Sequence, residues 1–496
     1  MYGKRGGIMM EQYSYPFLIA FIIGSVFSVL IHTQNKKEKN GGFPYEERSR
    51  YPAIISPYRL PIYACTLILF WPLSNKDADF LTKRFLEVFS IFLHVSLYHA
   101  VLLLVMPIVR KKISARVCAL LWTVPTVLYI IMYSYYTGLP RPWLVIHLPQ
   151  LSFKWLCVIW GIGFASVLLW KVISHLRFRE WILKASVPVK DPLVLRLWEE
   201  EQMVAQVWKG YKTDRFRIPL VLSEYITTPL TIGLWRNSIY MVLPQKSYTE
   251  DEYRLIFRHE LVHIGREDNG NKFLLVFCTA MCWFNPLMWI AMKQCATDFE
   301  RSCDETVLLD ADMDTKKQYA YLLLQTAGDD RGFTTCLSSS GASMRYRLES
   351  ALGSSKRHVG SIVAGICVFG TIFCYGMVTM SYDAMSAGDA IYYKNNPYQL
   401  SYVETDRTKD MILVEDAVEK SLRQYLNEQQ VYQLTNSYAG GEERIELRYD
   451  NPRVTVRLLD QMMEVRFDEN RRVKKQYYFA EPLDWEYLYG LLEIKD

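Results

Sequence analysis

The chain has 496 residues, 50% of them hydrophobic and 22% charged; that exceeds one ordinary domain, and long uncharged runs alternate with charged ones as in a membrane protein with soluble parts. The net charge of +5 is uneven, because from Ser381 onward 15 Lys and Arg face 22 Asp and Glu, a balance of −7 that leaves +12 on the first 380 residues. No segment clusters Lys and Arg among aromatics, which argues against direct nucleic-acid binding, and the ten cysteines, without C-x-x-C spacing, argue against a disulfide framework or a cysteine zinc site.

Pro16 to Ile31 is a first apolar run with Tyr13 and Tyr15 at its edge. It reads as a span, since no small-residue cleavage site follows. The next loop holds Lys36, Lys37, Lys39, Arg48 and Arg50, outweighing Lys4 and Arg5, so the N-terminus is expected outside and the loop in the cytoplasm. Further spans are expected at Tyr58–Leu73, Phe85–Val109, Val117–Thr137 and Phe153–Val172. Basic residues follow the odd-numbered ones, as Arg110, Lys111, Lys112 and Arg116 follow the third. Residues 1–184 are thus read as an N-terminal transmembrane region of about five spans.

Residues 185–352 are mostly soluble in character. Pro192–Val207 reads as a helix, and Arg217–Leu222 and Ser238–Leu243 read as short strands. Between them, the extended Thr227–Ile232 contains a proline, which suggests a sheet edge. At Thr228, Pro229 and Leu230 a substrate chain could add itself by backbone hydrogen bonds.

Thr249 with Glu252 three residues on forms a capping box, opening a helix expected to stop near Asn269-Gly270. Within it stands Arg258-His259-Glu260-Leu261-Val262-His263. His259 and His263 are four apart, so their rings leave one helix face and can meet one zinc ion. Glu260 is set beside that ion as a proton acceptor for water. The remaining histidines lie in or beside the apolar spans, so Glu300 is the better third ligand. Asp304, four further on, would accept a hydrogen bond from a ligand histidine and fix its tautomer. Asp268 is a weaker candidate for that role, and a solvated acidic helix face is the plainer alternative for Glu300 and Asp304.

Phe273–Ala291 is uncharged and about 28 Å long as a helix. If it crossed a bilayer, the histidines and Glu300 would lie on opposite sides. It must therefore lie along the interface, or enter and return with a break at Asn285-Pro286. Ser338–Lys356 reads as a juxtamembrane linker, or as a self-cleavage region. Gly360–Met380 is the last apolar span, with Gly360/Ala364 and Ser361/Gly365 as small residues four apart; residues 353–380 are linker and span. The tail, 381–496, opens with a loose stretch, then a helix at Val414–Gln429. Alternating runs follow at Arg444–Tyr449, Arg453–Leu459, Met462–Phe467 and Val473–Phe479, with a short helix near Trp485–Ile494, an antiparallel meander.

Several motifs together resemble the BlaR/MecR-type antirepressor metallopeptidases. They are His259–His263 with Asp268, the block Cys282-Trp283-Phe284-Asn285-Pro286-Leu287, Asp298-x-Glu300-x-x-Cys303-Asp304-Glu305, Gln318–Leu323 and Met344-x-x-Arg347. The resemblance covers about Ala185–Leu352. It implies zinc held by His259, His263 and Glu300, Glu260 as catalytic residue, and a gluzincin-like domain related to HtpX-type proteases. Tyr319 and Tyr321 are candidates for stabilising the transition state. The tail departs from the beta-lactam receptors: no S-x-x-K follows Ser381, so beta-lactam acylation is not expected.

The expected fold is a polytopic α-helical membrane protein of a bacterial cell membrane, with an α+β zinc metallopeptidase domain facing the cytoplasm and a small α+β C-terminal domain outside. The expected function is a regulated zinc endopeptidase that cleaves a cytoplasmic regulator, in the family a transcriptional repressor, or itself. The bilayer and a second copy of the chain are the other expected partners. The alternatives are a non-proteolytic receptor whose zinc domain binds a partner, and a site-2-type intramembrane protease.

Overall fold

The computed structural model describes residues 17–33, 36, 59–74, 78–131, 142–148, 150–205, 218–234, 238–309, 311–325, 341–352, 358–391, 399–405, 412–434, 443–450, 453–467 and 474–493. Lys4, Arg5, Tyr13, Tyr15 and the loop cations after Lys36 lie outside the described residues.

The N-terminal part comprises α1 (Phe17–Thr33), α2 (Arg59–Ser74), α3 (Ala78–Lys112), α4 (Ala115–Leu121), a short strand β1 (Leu144–His147) and α5 (Gln150–Lys184). Among the described residues two stretches are long and apolar enough to cross a bilayer, Phe85–Lys112 in α3 and Trp155–Lys184 in α5. Val117–Thr137 is not one helix in its described part. α4 ends at Leu121, and Pro125 sits in a 3-10 turn over Val124–Val127; a proline has no N–H with which to continue a helix. All seven α4 residues are buried, and an apolar run without period serves a core segment as well as a span. Arg116, expected near headgroups, instead donates to Thr306 Oγ1 at 3.2 Å. Arg110 likewise turns inward, to Asp298 at 2.7 Å.

A four-stranded sheet follows, built from β2 (Val187–Pro188), β3 (Leu220–Ser223), β4 (Leu230–Ile232) and β5 (Tyr240–Pro244) in the order β2-β3-β5-β4. α6 (Pro192–Ala205) links β2 to β3. β4 lies at the sheet's edge. Ile182 of α5 packs with Val221, Leu230 and Val242 under this sheet. Then come α7 (Glu250–Gly265), α8 (Asp268–Met281) and α9 (Pro286–Val307). The break after the histidine helix falls earlier than Asn269-Gly270. It is at Glu267, whose φ of 55° and ψ of 38° are left-handed, a conformation a residue with a Cβ adopts rarely. The bend turns Asp268 back toward α7.

Phe273–Ala291 is not one helix but parts of two, α8 and α9, with the break at Asn285-Pro286. Asn285 caps α9 by accepting from the Leu287 N–H at 3.0 Å, with Pro286 next in line. Both residues suit a helix start. α10 (Met313–Gln325) and α11 (Gly341–Leu352) complete this part. Most of Ser338–Lys356 is therefore helix rather than linker, and Arg347 within it is 0% exposed. A packed helix with a buried arginine is a poor self-cleavage segment.

α12 (Ser361–Phe373) is shorter than Gly360–Met380, because the chain turns at Gly376 (φ 88°) and enters β6 at Val378. α12 runs antiparallel beside α3: His358 N donates to the Lys112 carbonyl at 2.9 Å near one end, and His94 Nε2 lies 3.1 Å from the Cys374 carbonyl near the other. A Cβ on Gly24 of α1 would fall 2.7 Å from the Gly365 carbonyl oxygen, so glycine on both helices lets the backbones touch.

The tail holds β6 (Val378–Ser386), β7 (Gln399–Thr405), α13 (Asp416–Glu428), β8 (Gln430–Leu434), β9 (Glu443–Asp450), β10 (Val454–Leu459), β11 (Met462–Phe467), β12 (Lys474–Phe479) and α14 (Trp485–Leu491). β9 to β12 form the expected meander, but the sheet has eight strands, ordered β1-β6-β8-β12-β11-β10-β9-β7. The stretch after Ser381 belongs to β6 rather than to a loose segment. β1 joins from between α4 and α5, parallel to β6, with Leu144 opposite Val378. Ser90 of α3 donates to the Val378 carbonyl at 3.2 Å, so the sheet rests on α3.

Candidate metal centre

α7 is fixed before it presents anything. Thr249 Oγ1 accepts from the Glu252 N–H at 3.3 Å, and the Glu252 carboxylate accepts from the Thr249 N–H at 2.8 Å. Glu201 of α6, buried, accepts from Arg258 at 2.9 and 3.1 Å and from Arg254 at 3.3 Å. Phe257 and Leu261 pack with Leu197 and Trp198 in one core. The opposite face of α7 turns His259, Glu260 and His263 inward, all buried.

The two Nε2 atoms stand 3.1 Å apart, and Glu300 Oε2 lies 3.6 Å from that of His259 and 3.5 Å from that of His263. Each ring's other nitrogen is committed. His263 Nδ1–H donates to Asp268 at 2.7 Å. His259 Nδ1–H donates to the Tyr319 hydroxyl at 2.8 Å, which donates to Asp304 at 2.6 Å. Arg347 grips Asp304 with two bonds, 2.7 and 2.6 Å. This network, rather than any observed hydrogen, assigns the Nδ1 protons and leaves both Nε2 lone pairs facing Glu300. Glu300 Oε2 is buried without a hydrogen-bond partner.

Two imidazole Nε2 atoms and one carboxylate oxygen thus converge on one point. Donors about 2.1 Å from a tetrahedral zinc stand about 3.4 Å apart, and the triangle of 3.1, 3.5 and 3.6 Å fits that spacing. Cys303 also comes within 4.8 Å of both histidines, making a His, His, Cys set the rival. Its sulfur, however, lies 3.4 Å from His259 Nδ1, already taken by Tyr319, and 3.3 Å from the His259 carbonyl. The donor geometry therefore favours Glu300.

The electrostatics follow. Burial alone would lower the His259 pKa, but Cys303 and Glu300 raise it to about 9. His263 is raised too, against burial, by Cys303, Glu300 and Asp268. Burial would raise Glu300, yet His263, Lys272 and His259 hold it well below the usual carboxylate range. Without an ion, a proton on Nε2 takes the ion's place. Since both histidine pKa values are raised, protons stay bound through neutral pH, and that of His259 leaves only as pH climbs toward about 9. Zinc affinity should therefore rise steadily from pH 6 to 9, with proton release, read by calorimetry in buffers of different ionisation enthalpy.

The structure exchanges the roles expected of the two aspartates. Asp268 touches its histidine directly, whereas Asp304 is 3.7 Å from His259 Nδ1 and acts through Tyr319. Tyr319 therefore sits behind the histidine, away from the Nε2 side, and is not placed to stabilise a transition state there. Tyr321 is 61% exposed and is not brought to the cluster. Glu260 accepts a hydrogen bond from Thr231 of β4, which ties it to the edge strand; Thr228, Pro229 and Leu230 are buried at that strand's start. Sequence reasoning missed Thr231, Lys272 and a role for Arg347. Only Arg347 had a signal, in Met344-x-x-Arg347. Asp268→Asn is expected to lower zinc affinity roughly 10–100-fold, measured by competition with a chelating dye.

Residues 146–349 match the family described as BlaR1 peptidase M56. The regulatory protein BlaR1 of Bacillus licheniformis is 26% identical over 193 residues, 38% of this chain and 30% of that protein. The methicillin resistance mecR1 protein of Staphylococcus aureus is 32% identical over 94 residues, 18% of this chain and 16% of that protein. The mecR1 protein of Staphylococcus epidermidis matches to the same extent. The matched part spans less than a third of the length of these relatives.

Proposed function

We propose, on the match of residues 146–349 to the BlaR1 peptidase M56 family, that this is a chain of the BlaR/MecR type and a membrane-bound zinc endopeptidase of a signalling system. It cleaves a cytoplasmic regulatory protein, itself, or both. The observation that carries this is the converging triangle of His259, His263 and Glu300, with buried Glu260 next to His259 on the same helix. A bound zinc supplies Lewis-acid polarisation and acidifies water. His259 and His263 would hold it through Nε2 and Glu300 through Oε2. Glu260 takes the proton of the attacking water and passes it to the leaving amine. Thr231 orients that carboxylate from β4, where a substrate strand would add itself, so base and peptide share one reference point.

The membrane placement has its own support. Ser90, bonded to β6, and Arg110, paired with Asp298, are 20 positions apart on α3, about 30 Å of helix and about one hydrocarbon thickness. The exposed cations at the end of α3, Lys111 and Lys112, then mark the cytoplasmic side. The eight-stranded sheet lies outside and the metal centre inside. A cytoplasmic repressor as substrate and a second copy as partner belong to the same proposal. The test is metal removal: chelation should abolish cleavage by the purified full-length protein and zinc should restore it. Protease digestion at a tag after Asp268 only from the cytoplasmic side would support the placement. Cleavage that persists without metal would sink the reading.

A further inference from the structure

Lys272 has no part in the reaction as proposed, yet it touches one of the three donors. It stands four residues after Asp268 on α8, hence on the same helix face. Asp268 holds His263 Nδ1 at 2.7 Å, and Lys272 Nζ lies 3.2 Å from Glu300 Oε1. One helix face thus grips two of the three donors. The Lys272 side chain is only 12% exposed, and lysine is almost never buried unless paired.

The two Glu300 oxygens are consequently unlike. Oε1 accepts a charge-assisted hydrogen bond from Lys272. Oε2 faces both Nε2 atoms and has no hydrogen-bond partner. Arg347 Nη1 comes no nearer to Oε2 than 3.7 Å, its Nε and Nη2 being spent on Asp304. A carboxylate can meet a metal with one oxygen or two. A catalytic zinc site needs three protein ligands and one open position, and a second carboxylate oxygen would occupy that position.

We propose that Lys272 is a positioning residue that makes Glu300 a one-oxygen ligand: it retains Oε1, so only Oε2 is offered to the ion and a place stays open for water and substrate. This rests on the metallopeptidase reading above. It also links the ligand set to the membrane part. Leu274, Phe277 and Met281 of the same helix pack in one core with Val88 and Ile91 of α3 and Trp160 of α5, and Trp160 Nε1 donates to the Met281 carbonyl at 2.8 Å.

The experiment is cobalt substitution of the full-length protein in detergent, comparing wild type with Lys272→Met and Lys272→Arg. Lys272→Met should still bind one cobalt per chain, but its visible d–d absorption should lose intensity as coordination number rises. Lys272→Arg should keep the wild-type spectrum. In the zinc enzyme, Lys272→Met should lower kcat roughly 10–100-fold with KM unchanged. A wild-type cobalt spectrum in Lys272→Met would overturn the proposal. If that variant does not fold, Lys272→Leu, likewise without a donor for Oε1, faces the same two outcomes. Failure of wild type to bind cobalt or zinc would instead overturn the metallopeptidase reading itself.

Discussion

Glu260→Gln should lower peptide cleavage by roughly 10²–10⁴-fold, the range for loss of a general base, with zinc content unchanged at one ion per chain. Glutamine keeps the size of the side chain and a carbonyl oxygen for the Thr231 hydroxyl, so β4 and α7 stay joined. What it lacks is the capacity to take a proton. The donor triangle is made by His259, His263 and Glu300, while the Glu260 carboxylate accepts from Thr231, so metal affinity should be insensitive to the change. Metal analysis and single-turnover kinetics on the same sample separate the two properties. A variant that loses zinc along with activity would make Glu260 a ligand; one that keeps full activity would remove it from the chemistry.

Arg347→Met should be the most destabilising single change at the site. Arg347 is 0% exposed and Asp304 1%, and their two mutual bonds are the closest charge pairing either group has. Breaking a buried pair from one side costs about 3–5 kcal/mol, because the remaining charge stays buried. For a unit of this size that corresponds to roughly 6–20 °C in Tm, readable by differential scanning fluorimetry in detergent. Removing both partners, Arg347→Met with Asp304→Leu, should recover much of the stability but not zinc affinity. The relay from Asp304 through Tyr319 to His259 would still be cut. Equal recovery of both would reduce the relay to packing.

The parts legible in sequence are those with a short-range cause. The capping box at Thr249, the histidine spacing and the helix break at Asn285-Pro286 each need only neighbouring residues, and each stands where the residues put it. The strands of the tail meander carry period-two alternation and were equally readable. What stayed hidden depends on contacts distant in sequence. Arg110 and Arg116 look like headgroup anchors until Asp298 and Thr306 arrive from α9. Helical spacing places Asp304 toward the histidine helix but does not show that Tyr319 stands between. The Ser, Gly and Arg composition of Ser338–Lys356 resembles a linker, yet Asp304 demands a cation and draws Arg347 into a packed helix. β1 has four residues, too few for periodicity to register, and its partner is remote.

That last pairing constrains the order in which the protein matures. Leu144 and Val378 are 234 residues apart and lie side by side. At about 5–20 residues per second of synthesis, the second strand emerges roughly ten to fifty seconds after the first. During that interval residues 144–147 present backbone donors and acceptors with no mate in the large sheet, an invitation to wrong partners. The joint between α4 and α5 is therefore settled late, by the end of the chain. A polypeptide halted before Val378 would carry a histidine helix and no finished connection to close above it.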